Sequence, residues 1–321
     1  MYKIRFGILS TAKIGIEQVI PAMQNGEYTE IAAIASRERN KAIEAAEILN
    51  IPKAYESYEK LLADPEIDAV YIPLPNHLHV PWSIKALEAG KHVLCEKPIG
   101  LNAVEAQQLL DASAEYPHLK VMEAFMYRHH PRWIRTKSLI DEGRIGSLKS
   151  IHSFFTYFKD EPENIRFRPG MGGGGLMDVG CYNISLSRFL FDKNPDQVQS
   201  ITKIHPEYGV DILSSGLLDF ESGTSTFTCS MQCAGLQHVQ IMGTIARIEM
   251  NMPFNPPVDR ETELYVYSGD TVETIRFAPC NHYTIQGDLF AKSILDNTDV
   301  PTHLQDAVDN MKIIDSILEN K

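Results

Sequence analysis

A chain of 321 residues, 44% hydrophobic and 22% charged, has an ordinary globular composition and is long enough for two domains. Its formal net charge of -12 argues against broad binding to nucleic acid or anionic membrane, which need a surplus of Lys and Arg, but leaves room for a small anionic cofactor held by a few local cations. No apolar run approaches the roughly 18 residues of a membrane span, and because Met1-Tyr2-Lys3-Ile4-Arg5 leads straight into a strand pattern, no signal peptide is expected.

The first 120 residues or so alternate short apolar strands with helical patterns. Ile4 to Leu9 is strand-like, and Ile16 to Gln24 is helical apart from Pro21, which should bend or tighten it. Thr29 to Ala35 is a second strand, Asn40 to Leu49 a helix, and Tyr58 to Ala63 a short helix. Ala69 to Ile72 is the next strand, Trp82 to Ala89 a helix closed by Gly90, and His92 to Cys95 another strand. Such βαβ alternation calls for a parallel, doubly wound sheet with right-handed crossovers.

After Met126 the texture changes. A helix at Pro131 to Glu142 ends at Gly143, and long strand patterns follow in "SIHSFFTYFK", "QVQSITKIH" and "ILSSGLLDF". The last should pair across Glu221-Ser222-Gly223-Thr224 with "STFTCSMQC", and "ELYVYSGDTVETIRF" reads as a hairpin turning at Ser268-Gly269-Asp270. Helices return at Asp288 to Leu295 and Leu304 to Leu318, the latter with Ala307, Met311, Ile314 and Leu318 on one face. The organisation expected is an α/β nucleotide domain at 1–122 and an α+β domain at 123–321 with a large, mostly antiparallel sheet. The C-terminal helices within 288–318 are expected to pack back near the first domain. Cys229 and Cys233 lie on one face of a single strand pattern, about 13 Å apart at ~3.3 Å per residue, too far for a disulfide; with five scattered cysteines, a reduced, cytoplasmic protein is expected.

The turn "FGILSTAKIGIEQVIPAM" sets Ser10, Ala12 and Gly15 where a dinucleotide-binding G-x-G-x-x-G has its three glycines. All three remain small, so backbone N–H groups and the helix N-terminus stay open to a pyrophosphate. The same residues also fit a plain βα turn with no ligand. At the end of the second strand stand Ser36-Arg37, then Arg39, where an NAD-specific fold has a carboxylate. A guanidinium there suits a 2′-phosphate and so favours NADP, with NAD possible; solvated surface charge is the other reading of the two arginines.

"AGKHVLCEKPIGLNAVEA" decides the class. Its Glu96-Lys97-Pro98 follows an apolar strand, as in the E-K-P signature of the Gfo/Idh/MocA oxidoreductases, which the chain resembles over nearly its whole length. "IPLPNHLH" resembles the family's nucleotide-contacting loop, "MEAFMYRHHP" its domain-crossing segment, and "GGGGLMDVGCY" its active-site helix start. Within the family the likeness is to the dihydrodiol dehydrogenase and D-xylose 1-dehydrogenase branch, which uses NADP and tolerates a relaxed glycine turn. The resemblance implies cofactor contacts from Ser10, Thr11, Ala12, Ile14, Ser36, Arg37, Pro73, Leu74, Asn76, His79, Glu96, Lys97 and Arg128. It also implies a homodimer or homotetramer paired through the open sheet.

Oxidising a secondary alcohol needs an acceptor for the hydroxyl proton and one for the hydride. Lys97 is expected to stabilise negative charge developing on the substrate oxygen. Tyr182, four residues after Asp178 on one helical face, is expected to be the general acid/base, since a neighbouring ammonium favours the phenolate. Tyr182 also fits a packed core, and Asp178 fits either an orienting role or a helix cap. Arg166 and Arg168 precede the Gly172 to Gly175 run and read as substrate-side or surface charges; the glycines suggest a mobile or closely approached loop. His77, His79, His129 and His130 lack further clustered ligands, so no metal is expected, and His79 suits a cofactor or loop-stapling role. The expected function is NADP-dependent hydride transfer to or from a sugar, polyol or cyclic diol. The alternative is an NADP-binding redox sensor with little turnover, and reduction of a C–C double bond is weaker still.

Overall fold

The computed structural model describes residues 2–319. Everything through Met126 together with Asn281–Val308 forms one compact unit, and Tyr127–Cys280 with the chain from Asp309 onward forms a second.

The first unit opens with β1 (Ile4–Leu9), a π-helical turn at Gly15–Val19 and α1 (Ile20–Gln24). The single helix expected over this stretch is therefore split. Pro21 stands in the first turn of α1, where its missing N–H does no harm, and the π-helical turn directly precedes that helix. There follow β2 (Thr29–Ala35), α2 (Arg39–Leu49), β3 (Lys53–Tyr55), α3 (Tyr58–Leu62), β4 (Ala69–Ile72), α4 (His79–Glu88), β5 (His92–Cys95), α5 (Ala103–Ala114) and β6 (Val121–Glu123). Asn102 caps α5 by accepting from the Glu105 N–H at 2.9 Å, while Glu105 accepts from the Leu101 N–H at 2.9 Å. The six strands are all parallel in the order β3-β2-β1-β4-β5-β6, the Rossmann order, with its switch point between β1 and β4.

The second unit begins with α6 (Pro131–Asp141), capped by His130, then β7 (Leu148–Phe158), a second π-helical turn at Leu176–Gly180 and α7 (Cys181–Phe191). Seven strands complete its sheet: β8 (Gln197–Ile204), β9 (Asp211–Phe220), β10 (Gly223–Ser230), β11 (Gln232–Gly243), β12 (Arg247–Asn251), β13 (Thr262–Ser268) and β14 (Thr271–Phe277). The order is β14-β13-β12-β11-β7-β10-β9-β8, antiparallel throughout except for the parallel pair β7/β10. Both expected hairpins form: β9 and β10 pair around Phe220↔Gly223, and β13 and β14 turn at Gly269, whose φ is 57°. The pattern expected to be one strand through Cys233 is two, broken at Met231. Cys229 and Cys233 therefore belong to different strands, and both are free thiols, as are Cys95 and Cys280.

α8 (His282–Leu295) returns to the first unit, where its Asp288 accepts the N–H groups of Glu27 and Tyr28 at 3.0 and 2.9 Å and Phe290 packs on Phe6. It begins before the expected Asp288 because Asn281 caps it through the Tyr283 N–H. In α9 (Leu304–Glu319) the buried stripe contains Ala307, Met311, Ile314 and Ile317, with Ile317 in place of Leu318.

Candidate active site

In the first unit, Ser10 occupies the first glycine position of the turn after β1, and its Oγ accepts the Ala12 N–H at 3.0 Å. The serine thus braces the turn that a glycine would leave to backbone geometry alone. Thr11 and Ala12 are half-buried, and Lys13 and Ile14 are exposed at the start of the helical stretch, where first-turn N–H groups lack intrahelical partners. A Cβ added to Gly15 would come within 3.6 Å of Pro73 and 3.9 Å of Tyr71, so this third position is already in close contact with β4 and its loop. Ser36 is buried just beyond β2, and Arg37 beside it is exposed. The next carboxylate, Glu38, is taken by Lys41 at 2.6 Å. Small residues at the turn and a cation at the end of β2 form a donor set that fits a dinucleotide bearing a 2′-phosphate.

Pro73, Leu74 and Asn76, expected from the family resemblance to contact the nucleotide, lie between β4 and α4. His79 is only 1% exposed; its Nδ1 lies 2.7 Å from the Pro98 carbonyl and its Nε2 lies 2.6 Å from the Leu74 carbonyl. Burial holds its pKa down to about 4, so it is neutral, and its one N–H donates to one carbonyl at a time. His79 staples the loop after β4 to the Lys97-Pro98 peptide, which is cis.

Glu96 accepts the Tyr71 hydroxyl at 2.6 Å. Burial raises the pKa of both groups, opposed at Glu96 by the hydrogen bond from Tyr71 and by the charge of Lys97. Lys97 follows at the C-terminal end of β5, half-buried. Tyr71 had no signal in the sequence, because its partner lies 25 residues away.

In the second unit, Tyr182 on α7 is 5% exposed and its ring lies among Tyr127, Phe155 and Phe254, with centroids 5.8, 5.5 and 5.4 Å away. Asp178, in the π-helical turn ahead of α7, accepts the Arg166 Nε–H at 2.7 Å and the Tyr157 hydroxyl at 2.5 Å. The Asp178 carboxylate raises the Arg166 pKa, and burial followed by Asp178 raises that of Tyr157, so both partners stay protonated. Phe155 and Tyr157 are two apart on β7 and meet side chains four apart on the helix, so strand and helix periods coincide along one seam.

Helix capping, one reading of Asp178, falls to Asp211 at the start of β9. Its buried carboxylate accepts the Leu176 N–H at 2.6 Å. Here the glycines are needed. Gly174 has φ 115°, and a side chain there would collide with Asp211, while one at Gly173 would meet the Arg166 carbonyl at 2.6 Å. The run is a closely approached loop. Arg168 pairs with Glu163 at the surface, and Arg128, expected at the cofactor, directs Nε and Nη2 to Ser185 on α7 at 3.2 and 2.9 Å.

The described residues contain no group of three or more His, Cys, Asp or Glu placed to hold a metal, and no helix among them is long and apolar enough to cross a membrane. Residues 4–125 match the oxidoreductase family model with an NAD-binding Rossmann fold, and residues 133–249 match the GFO/IDH/MocA C-terminal domain. The chain belongs to the Gfo/Idh/MocA oxidoreductase family. Its relatives in the family include D-xylose 1-dehydrogenase (NADP(+)) 2 of Haloferax volcanii, 40% identical over 317 residues that cover 98% of this chain and 96% of the relative. Another is the trans-1,2-dihydrobenzene-1,2-diol dehydrogenase of Mus musculus, 32% identical over 82% of this chain and 78% of the relative. Among solved structures, the 3-ketoreductase KijD10 of Actinomadura kijaniata, in complex with NADP and TDP-benzene, superposes with a TM-score of 0.91 at 29% identity, covering 99% of this chain and 98% of KijD10.

Burial of histidines makes the family fold here acid-sensitive. His79 and His129 are both buried, and burial lowers each pKa to about 4 from the ordinary 6.5. The unfolded chain therefore binds more protons than the folded one between those values, and stability falls as pH drops through that window. The slope approaches about 1.4 kcal/mol per pH unit for each histidine. Urea midpoints measured from pH 7 to pH 4 should fall steadily; a flat profile would mean that these imidazoles take up protons in the folded state.

Proposed function

We propose that this chain is an NADP-dependent oxidoreductase that moves a hydride between the nicotinamide and a secondary alcohol or carbonyl carbon of a sugar, polyol or cyclic diol. The observation that carries this reading is the 40% identity, over 98% of the chain, to an NADP-dependent D-xylose dehydrogenase. The first unit is assigned to the nucleotide and the second to the substrate.

When bound, NADP supplies the two-electron hydride carrier. Ser10, Thr11, Ala12 and Ile14 would face its pyrophosphate, Ser36 and Arg37 its 2′-phosphate, and Pro73, Leu74, Asn76 and Glu96 its nicotinamide half. Tyr182 takes the hydroxyl proton during oxidation and returns it during reduction. Lys97 is cationic and stabilises negative charge on the substrate oxygen as the C–H bond breaks. Asp178, tied to Arg166 and Tyr157, fixes the helix turn that leads to Tyr182 and carries no proton itself.

A homodimer or homotetramer is assigned to the open face of the second sheet. Its support is a cross-strand row of Phe154, Thr228, Ser215 and Ile201, in which Ile201 is 66% exposed. Leu236 and Met242 extend the same face on β11. The odd number of scattered cysteines, with Cys95, Cys229, Cys233 and Cys280 as free thiols, supports a cytoplasmic setting.

The direct experiment follows NADPH formation with D-xylose, other aldoses and trans-1,2-dihydrobenzene-1,2-diol. No oxidation of any of them, and no reduction of the matching carbonyls, would reject the reading. A second test concerns the cofactor. Arg37→Ala removes one charge-assisted contact to the 2′-phosphate, so the preference for NADP over NAD in kcat/KM should fall about 10- to 100-fold. An unchanged ratio would make Arg37 a surface charge.

A further inference from the structure

Arg166 is fixed along one edge and open along the other. Its Nε–H is bound to Asp178 Oδ2 at 2.7 Å, and its Nη1 has a weak contact of 3.3 Å with Asn164 Oδ1. Tyr157, which shares Asp178 Oδ2, also bonds the guanidinium, but with five N–H donors and a side chain that is 35% exposed Arg166 keeps donors to spare on its outer edge. An arginine held this way offers preset N–H donors at little further loss of rotamer freedom. Its charge is already matched by Asp178, so the open edge suits a neutral oxygen acceptor better than an anion. The anchor is also local to Tyr182: Tyr157, which shares Asp178 Oδ2 with Arg166, stands two residues along β7 from Phe155, whose ring packs on Tyr182.

We propose that Arg166 is a specificity-determining residue, donating from its open edge to a hydroxyl of a polyhydroxylated substrate away from the reacting carbon. The inference rests on the functional reading above, in which Tyr182 works at the substrate. It narrows the substrate class to aldoses and related polyols, in preference to diols that carry only two neighbouring hydroxyls. Asp178 and Tyr157 hold the guanidinium, and the substrate completes its set of acceptors. A substrate without the remote hydroxyl leaves that edge to water and gains nothing from it.

The test compares D-xylose with trans-1,2-dihydrobenzene-1,2-diol in Arg166→Met, Arg166→Lys and Tyr157→Phe. Both Arg166 variants should raise KM for D-xylose about tenfold or more, since Lys keeps the charge but loses the fork. Their kcat should fall by the same factor for both substrates, because the tie that holds Asp178 is lost with either, while their KM for the dihydrodiol should stay within about threefold of wild type. Tyr157→Phe leaves the open edge in place and should keep the wild-type ratio of the two KM values. The proposal is overturned if KM rises equally for both substrates, if only kcat falls, or if Tyr157→Phe shifts the KM ratio as far as Arg166→Met. Should Arg166→Met fail to fold, Arg166→Lys decides by the same criteria. Wild-type protein that turns over neither compound, nor any other aldose or diol, removes the functional reading and this inference together. An active wild type whose Arg166 variants discriminate as it does removes the inference alone.

Discussion

Replacing Lys97 by Met should lower kcat for sugar oxidation about 1,000-fold, while KM for NADP changes less than about threefold. Met keeps most of the length and apolar stem but removes the charge that the substrate oxygen needs as it becomes anionic. The effect should appear in both directions, because oxidation and reduction share one transition state. Lys97 follows directly on Glu96, which is tied to Tyr71 at 2.6 Å, so the substitution leaves that neighbouring bond in place. A variant with near-normal kcat would remove Lys97 from the chemistry and leave it, at most, a ribose contact. Steady-state NADPH formation and cofactor titration by fluorescence together separate the two outcomes.

Tyr182→Phe should lower kcat for oxidation by about 100- to 1,000-fold and abolish the rise of kcat with pH on the acid side of the profile, where the base must lose its proton. The variant should fold normally, because the ring that packs against Tyr127, Phe155 and Phe254 is retained and only the hydroxyl is lost. That makes it a cleaner probe than a truncation, which would open a cavity among three aromatic rings. If activity survives with its pH profile intact, Tyr182 is a packing residue, the other role its pattern allowed in the sequence.

The first unit was largely legible because its information is local. Apolar runs such as Ala69 to Ile72, the small residues of the β1 turn and Gly90 at the end of α4 each act within a few positions. Several elements escaped, among them α5, although Asn102 and Glu105 punctuate its start; others were short or lacked punctuation. β3 and β6 have three residues each, and the β10/β11 break at Met231 carries no Gly, Pro or Asn to mark it. Both π-helical turns depart from the 3.6-residue period on which sequence patterns rely.

At the site, residue types could be found from sequence but their partners could not. Asp178 stood out by its spacing from Tyr182, yet what holds it comes from Tyr157, 21 positions earlier, and Arg166, 12 positions earlier. The cap, one of the two roles open to Asp178, came from Asp211, 35 residues beyond the Leu176 N–H it accepts. His79 could be singled out in an H-x-H pair, but only burial and two facing carbonyls show it to be a staple. Long-range pairing of polar groups leaves no period in a sequence.

A double-mutant cycle on Lys97→Met and Tyr182→Phe tests most directly whether the two residues act on one substrate oxygen. If they do, the double variant should be little slower than the slower single variant, because either change already disables the shared proton and charge transfer. If the two losses instead multiply in kcat, Lys97 and Tyr182 work independently and the proposed mechanism is contradicted.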